Sequence, residues 1–149
     1  MNSKIILIST IFLCFEAFCN AAFSDCGSEV GSIVSVDIIG CDDKPRCPLK
    51  KGTNATMNIT FKSNVDTTNL KAVVYGVIGV KIPFELPNDD GCKDSGIVCP
   101  IKAGETYRYT TTMPILTSYP RVTVDILWEL QNDEGKDIIC ARIPSKIVK

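Results

Sequence analysis

The stretch Thr56-Met57-Asn58-Ile59-Thr60-Phe61-Lys62 alternates strictly, with Met57, Ile59 and Phe61 on one side and the polar residues on the other. Successive side chains of a strand point to opposite faces, so this pattern predicts a strand with one dry and one wet face. The same period recurs further on, where Val122, Val124, Ile126 and Trp128 share a face opposite Thr123 and Asp125. Ile33 to Ile39, Leu70 to Ile82, Thr106 to Met113 and Ile138 to Ile143 are further strand-like runs. Asp42-Asp43-Lys44-Pro45, Lys51-Gly52-Thr53-Asn54 and Asn132-Asp133-Glu134-Gly135 supply turn chemistry between them. No sustained helical period, internal repeat or low-complexity tract breaks the series, so the expected class is an all-β sandwich. Pro83 to Gly104 is its one long connection.

Ahead of this pattern, Lys4 precedes an almost unbroken apolar run from Ile5 to Phe15, followed by the small residues Ala17, Cys19, Ala21 and Ala22. That layout predicts a secretory signal peptide over residues 1–20, cleaved between Cys19 and Ala22. The run is short against the ~20 apolar residues of a membrane-spanning helix, which favours removal over anchoring. Residues 21–149 then form a single domain of ordinary size. Its formal net charge is -1 and its basic residues form no stripe, which excludes nucleic acid as an expected partner.

Cysteine usage agrees with export. Cys14 and Cys19 fall in the leader, leaving Cys26, Cys41, Cys47, Cys92, Cys99 and Cys140. An even set in a secreted domain reads as a disulfide framework. Spacing favours Cys41 with Cys47 and Cys92 with Cys99, each around a short loop holding proline or glycine, and leaves Cys26 for Cys140. With no histidine and no CxxC pair, metal is not expected. Two sequons, Asn54-Ala55-Thr56 and Asn58-Ile59-Thr60, fit the glycan acceptor pattern, and Asn58 ranks first because it lies on the polar face of its strand.

Two segments carry large apolar residues between prolines, Ile82-Pro83-Phe84-Glu85-Leu86-Pro87 and Met113-Pro114-Ile115-Leu116-Thr117-Ser118-Tyr119-Pro120. Proline removes a ladder donor, which puts both segments at sheet edges or beyond strand ends. Exposed apolar side chains at such places cost solubility unless something apolar docks there. The chain therefore reads as a carrier of water-averse ligands.

Several runs resemble the ML-domain lipid-binding family in order and spacing. They are Asp25-Cys26-Gly27-Ser28, Asn58-Ile59-Thr60-Phe61, Ile82-Pro83-Phe84, Asp90-Gly91-Cys92-Lys93, Cys99-Pro100-Ile101, Thr106-Tyr107, Tyr119-Pro120, Trp128-Glu129-Leu130 and Ile143-Pro144. The likeness spans nearly the whole mature chain and is strongest toward the Niemann–Pick type C soluble sterol-transfer branch. It implies an immunoglobulin-like sandwich of two antiparallel sheets with a lipid in an apolar cavity between them, and the same three disulfides. It also implies a pocket lined at Phe84, Ile115 and Tyr119. Ile115 departs from the valine common there, and Tyr75 and Lys81 stand where relatives commonly carry histidine and proline.

Each candidate has a plainer reading. Phe84, Ile115 and Tyr119 would serve equally to plug a sandwich core, but their place on proline-bounded segments together with the resemblance favours ligand lining. Pro114 and Pro120 stiffen the loop and reduce the entropy lost on binding. Val124 and Ile126 are expected to reach the ligand, with Trp128 chiefly in the core. Ile82, Val80, Ile59 and Phe61 divide between the two roles. The acidic pairs Asp42-Asp43 and Asp89-Asp90 read as solvated turn formers without calcium-loop spacing.

Without histidine the Ser-His-Asp and Cys-His constellations cannot be built, and every mature cysteine has a partner, so no enzyme is expected. No cofactor is implied. The expected function is to hold a sterol between the sheets and shuttle it to membranes or a partner. The alternatives are a carrier of fatty acids or hydrophobic semiochemicals and an innate-immune module for microbial lipid. Expected partners are the sterol or fatty acid, a membrane touched transiently by the apolar loops, and a membrane-protein acceptor, with the chain itself monomeric. The expected location is secreted, extracellular or in the lysosomal lumen.

Overall fold

The computed structural model describes residues 21–41 and 44–149. The signal peptide predicted over residues 1–20 and the Asp42-Asp43 pair lie outside them. Among the described residues nine strands follow in chain order: β1 (Ser24–Asp25), β2 (Gly31–Ile38), β3 (Cys47–Lys50), β4 (Thr53–Ser63), β5 (Lys71–Ile78), β6 (Val80–Phe84), β7 (Thr106–Ile115), β8 (Thr123–Gln131) and β9 (Asp137–Val148). They form two sheets. One runs β1-β9-β8-β5-β6 with β3 also on β9, and the other runs β2-β4-β7. All pairs are antiparallel except β3, which runs parallel to the last residues of β9.

The alternation read from β4 sets the register. Met57, Ile59 and Phe61 are buried while Thr56, Asn58 and Thr60 are half-exposed, and Ile59 pairs with Tyr109 on β7 and Val36 on β2. Trp128 and Leu130 of β8 face them from the other sheet, with Ile139 and Ala141 of β9 beside them in the same core. Burying a side chain such as Phe61 or Trp128 contributes about 1.5–3 kcal/mol.

Two glycines are required by the architecture. Gly79, at φ +69, turns β5 into β6 and divides the strand-like run Leu70 to Ile82 into a hairpin. Gly31 opens β2 where a Cβ would lie 2.6 Å from the Lys62 carbonyl oxygen and 2.7 Å from Ile138, so no larger residue fits. The prolines behave as edge markers: Pro83 sits in edge strand β6, and Pro114 is the penultimate residue of edge strand β7. β7 thus extends two residues past the predicted end at Met113.

Disulfides join Cys26 to Cys140, Cys41 to Cys47 and Cys92 to Cys99, the pairing that spacing suggested. The first ties the opening strand to β9 across 114 residues of sequence. The last staples the long β6–β7 connection, which covers the outer edge of β7 through a Thr110 N–H to Ser95 carbonyl bond of 2.9 Å. No helix among the described residues is long and apolar enough to cross a membrane.

Candidate functional site

Between the sheets lies an almost wholly apolar cavity of about 30 Å³. Met57 and Ala55 of β4, Met113 and Thr111 of β7, and Ile38 of β2 line one wall. Ile126 and Trp128 of β8, Ile143 and Ser145 of β9, and Leu49 of β3 line the other. Each wall is built by inward positions of successive strands, so the slot is a direct product of period-two register. Its volume matches about one water molecule, whereas small-molecule sites usually occupy ~300–1,000 Å³. A lipid would have to part the two walls. Met57 and Met113 suit that demand, because the unbranched thioether repacks at low cost.

Of the predicted site residues, only two are brought to the slot. Ile126 and Trp128 line the slot itself. Phe84 and Tyr119, both half-buried, pack edge to face with ring centroids 5.6 Å apart and lean on the core. Ile115 is buried, Pro114 half-buried, and Val124 is buried across from Gly76, whose added Cβ would lie 3.3 Å from it. Ile82 pairs with Gly76 on the inward-facing side of β6, yet is 46% exposed, because nothing among the described residues covers that end of the sheet. The sequence singled out neither Ala55, Thr111 nor Ser145. The signal was available, since each has the inward parity of its strand, but a small or polar residue does not announce a lipid wall.

Strands β2, β5, β7 and β9 all end, and β4, β6 and β8 all begin, at one end of the sandwich. The Tyr119 loop and the Gly79 hairpin lie there, so it is taken as the mouth. Its large apolar side chains stand in solvent: Ile78, Val80, Ile82 and Leu116. Cationic residues flank them, with Lys50, Lys51, Arg121, Lys146 and Lys149 on the adjoining strand ends and turns. The opposite end carries both signs, with Asp66, Asp89, Asp90, Glu105, Asp133 and Glu134 among Lys62, Lys71, Lys93, Lys102 and Lys136.

The outer face of the larger sheet carries two charge clusters. Near the mouth, Asp125 accepts bonds from Arg46 at 2.9 Å and from Arg142 at 2.9 and 2.7 Å. Burial alone would raise the Asp125 carboxyl, but these guanidiniums outweigh it and hold it below its ordinary range. Further along, buried Glu129 lies beside Asp137, bridged by Gln131 at 3.5 and 3.3 Å. Burial and the neighbouring Asp137 charge push Glu129 up, and burial likewise raises Asp137. Glu129, Asp137 and Cys140 are close enough to hold an ion, but the Cys140 sulfur is bonded to Cys26. Among the two sequon residues, Asn54 is exposed at the start of β4, while half-buried Asn58 accepts a 2.7 Å bond from the Thr110 hydroxyl.

The ML-domain family pattern matches residues 20–147. This chain belongs to the ML-domain family. It is 50% identical over 127 residues to the NPC intracellular cholesterol transporter 2 homolog a of Drosophila melanogaster, covering 84% of this chain and 86% of that one. It is 46% identical over 145 residues to the NPC intracellular cholesterol transporter 2 of Danio rerio, covering 97% and 95%. The fold is similar to the crystal structure of a Niemann-Pick type C2 protein from Japanese carpenter ant, with a TM-score of 0.82 and 33% identity, covering 85% and 99%. The sandwich with its two facing sheets is therefore the ML arrangement, as the motifs implied.

Proposed function

We propose that this ML-domain protein binds a sterol between its two sheets and transfers it between membranes or to a membrane-protein acceptor. The observation that carries the reading is the apolar slot bounded by Met57, Met113, Ile126, Trp128 and Ile143, placed between the two sheets. The cholesterol-transporter relatives support the same ligand class. Removing ~300–400 Å² of ligand surface from water yields roughly 8–10 kcal/mol gross. Lost ligand motion and the parting of the walls reduce it, which leaves affinity near micromolar or somewhat tighter.

Phe84, Tyr119, Ile115, Pro114 and Ile82 form the mouth, and Val124, Ile126 and Trp128 meet the guest inside. In this reading the protein acts as a shuttle, taking up and releasing its ligand unchanged. The solvent-exposed apolar tips Ile78, Val80 and Leu116, ringed by cationic side chains, are the surface that touches the donor or acceptor bilayer. The signal peptide over residues 1–20, the disulfides and the sequons at Asn54 and Asn58 fit a secreted or lysosomal monomer carrying N-glycans.

The test is competition of cholesterol against oleate on delipidated protein, with native mass spectrometry of the protein as purified. Retained and preferred sterol supports the reading. Retained acyl chains with no sterol binding replace it with fatty-acid carriage, and tight lipopolysaccharide binding without either replaces it with microbial lipid recognition.

A further inference from the structure

Met57 and Met113 stand on one wall of the slot, and they are the two methionines left once Met1 departs with the predicted leader. Met57 pairs with Thr111 and Met113 with Ala55, so the two side chains occupy successive inward rows of the β4–β7 ladder. They are 5% and 8% exposed. Oxidants dissolved in water reach such thioethers poorly, whereas a guest between the sheets lies against both. The six described cysteines are all in disulfides, so no thiol among the described residues competes for an oxidant. The soft sulfur open to a bound guest is this thioether pair.

A second observation concerns what oxidation would leave behind. A methionine sulfoxide puts a polar oxygen into an apolar place, which ordinarily disrupts a core. Here the slot holds a donor of its own. Trp128 lines the facing wall, and its Nε1–H is the one buried side-chain polar atom without a partner among the described residues. The Tyr109 hydroxyl stands near the indole but does not meet it at hydrogen-bonding geometry. A buried donor left unpaired costs free energy that an acceptor recovers, and a sulfoxide oxygen in the same slot is a strong acceptor. The oxidised chain can therefore stay folded while it loses the space a guest needs.

We propose that Met57 and Met113 disarm lipid hydroperoxides taken up by the slot, each thioether accepting one oxygen from the bound guest. The sulfur attacks the terminal peroxide oxygen, so an S–O bond forms as the O–O bond breaks. The peroxide proton passes to the departing alkoxide oxygen, which leaves methionine sulfoxide and the lipid alcohol. Sulfur is oxidised and the hydroperoxide is reduced, and the step consumes no other reagent. Holding the peroxide beside the sulfur replaces a chance encounter in solution by a reaction within one complex. The chemistry is stoichiometric, with one lipid reduced per methionine. The inference rests on the carrier reading, with the hydroperoxide of a sterol or of an unsaturated fatty acid as the guest.

The experiment loads the delipidated mature protein with cholesterol hydroperoxide or with linoleic acid hydroperoxide, in separate arms. Intact mass, peptide mapping and chromatography of the extracted lipid follow the oxygen, with cholesterol, linoleate and an equal concentration of hydrogen peroxide as controls. The expected result is one added oxygen at Met57 or Met113 with a matching amount of lipid alcohol. It should form at least about tenfold faster than with hydrogen peroxide. The arm that reacts names the guest. Oxidised protein should keep its far-ultraviolet circular dichroism and bind the parent lipid at least about tenfold more weakly. The volume-conserving double variant Met57→Leu, Met113→Leu should still bind the hydroperoxide and give it back unreduced. Hydroperoxide recovered intact from wild type, or sulfoxide formed no faster than with hydrogen peroxide, overturns the proposal and leaves the carrier reading standing. Wild type that binds neither hydroperoxide nor either parent lipid overturns both.

Discussion

The Phe84 and Tyr119 rings meet edge to face at 5.6 Å, joining an edge strand of the larger sheet to the loop that crosses over from the smaller one. The contact clasps the two halves of the sandwich at the flank of the slot. Edge-to-face pairs add ~0.5–1.5 kcal/mol beyond area burial, enough to hold the contact and little enough to let it open. Phe84→Ala removes both the clasp and an apolar wall. We expect sterol affinity to fall at least about tenfold, with the thermal midpoint lowered by a few degrees and the far-ultraviolet circular dichroism unchanged. A folded Phe84→Ala protein with wild-type sterol affinity would show that the ligand does not use this flank.

Filling the slot makes a complementary test. Ala55 lines it from β4 and is half-buried, so Ala55→Leu adds methylenes where a guest must lie. Overpacking costs typically ~1–3 kcal/mol in a tight core, but here the adaptable Met57 and Met113 absorb part of it. Binding of sterol and of oleate should both drop sharply in titrations with fluorescent analogues, while the melting temperature changes little. Unaltered binding of both would move the ligand elsewhere.

Much of this fold was legible because burial enforces parity. Met57, Ile59 and Phe61 occupy the face that alternation assigned them, and the same rule brought Ile126 and Trp128 to the slot wall. The hairpin at Gly79 was less legible: Leu70 to Ile82 reads as one strand-like run, and the positive φ at Gly79 turns it back on itself. Side chains that cross strands were not legible at all. Nothing local in the sequence says that Lys81 extends over Tyr75 toward Glu129, or that an outward-facing Glu129 becomes buried between β5 and β9. The width of the slot also escapes the sequence, since it depends on how far two sheets approach rather than on which residues face inward.

The long disulfide should dominate the covalent contribution to stability. Cys26–Cys140 closes 114 residues, and the chain-entropy relation gives about 4–5 kcal/mol for a loop of that size. Replacing both cysteines by serine should lower the unfolding free energy read from denaturant titration by that amount, well beyond the loss from opening Cys92–Cys99. A double variant as stable as wild type would mean that the unfolded chain is already compact when reduced.

Acid should first stabilise the fold and then undo it. Glu129 and Asp137 have folded-state pKa values raised above their ordinary 4.5 and 3.8, so each destabilises the fold while ionised, and that penalty disappears as pH falls toward those ordinary values. Asp125 is shifted the other way: its two guanidinium partners stabilise the fold above its ordinary 3.8, and that contribution is lost as pH drops below it toward the lowered folded value. Asp25, lowered by its bonds with Ser28 and Gly27 despite burial, follows the same sign. The thermal midpoint should therefore rise from neutral pH to a maximum on the acid side and decline once pH passes below the ordinary aspartate value. Glu129→Gln should flatten the rising limb, and Asp125→Asn should remove part of the acid decline. Calorimetry across this range checks both limbs, and a midpoint that falls steadily from neutral pH in wild type would contradict the raised pair.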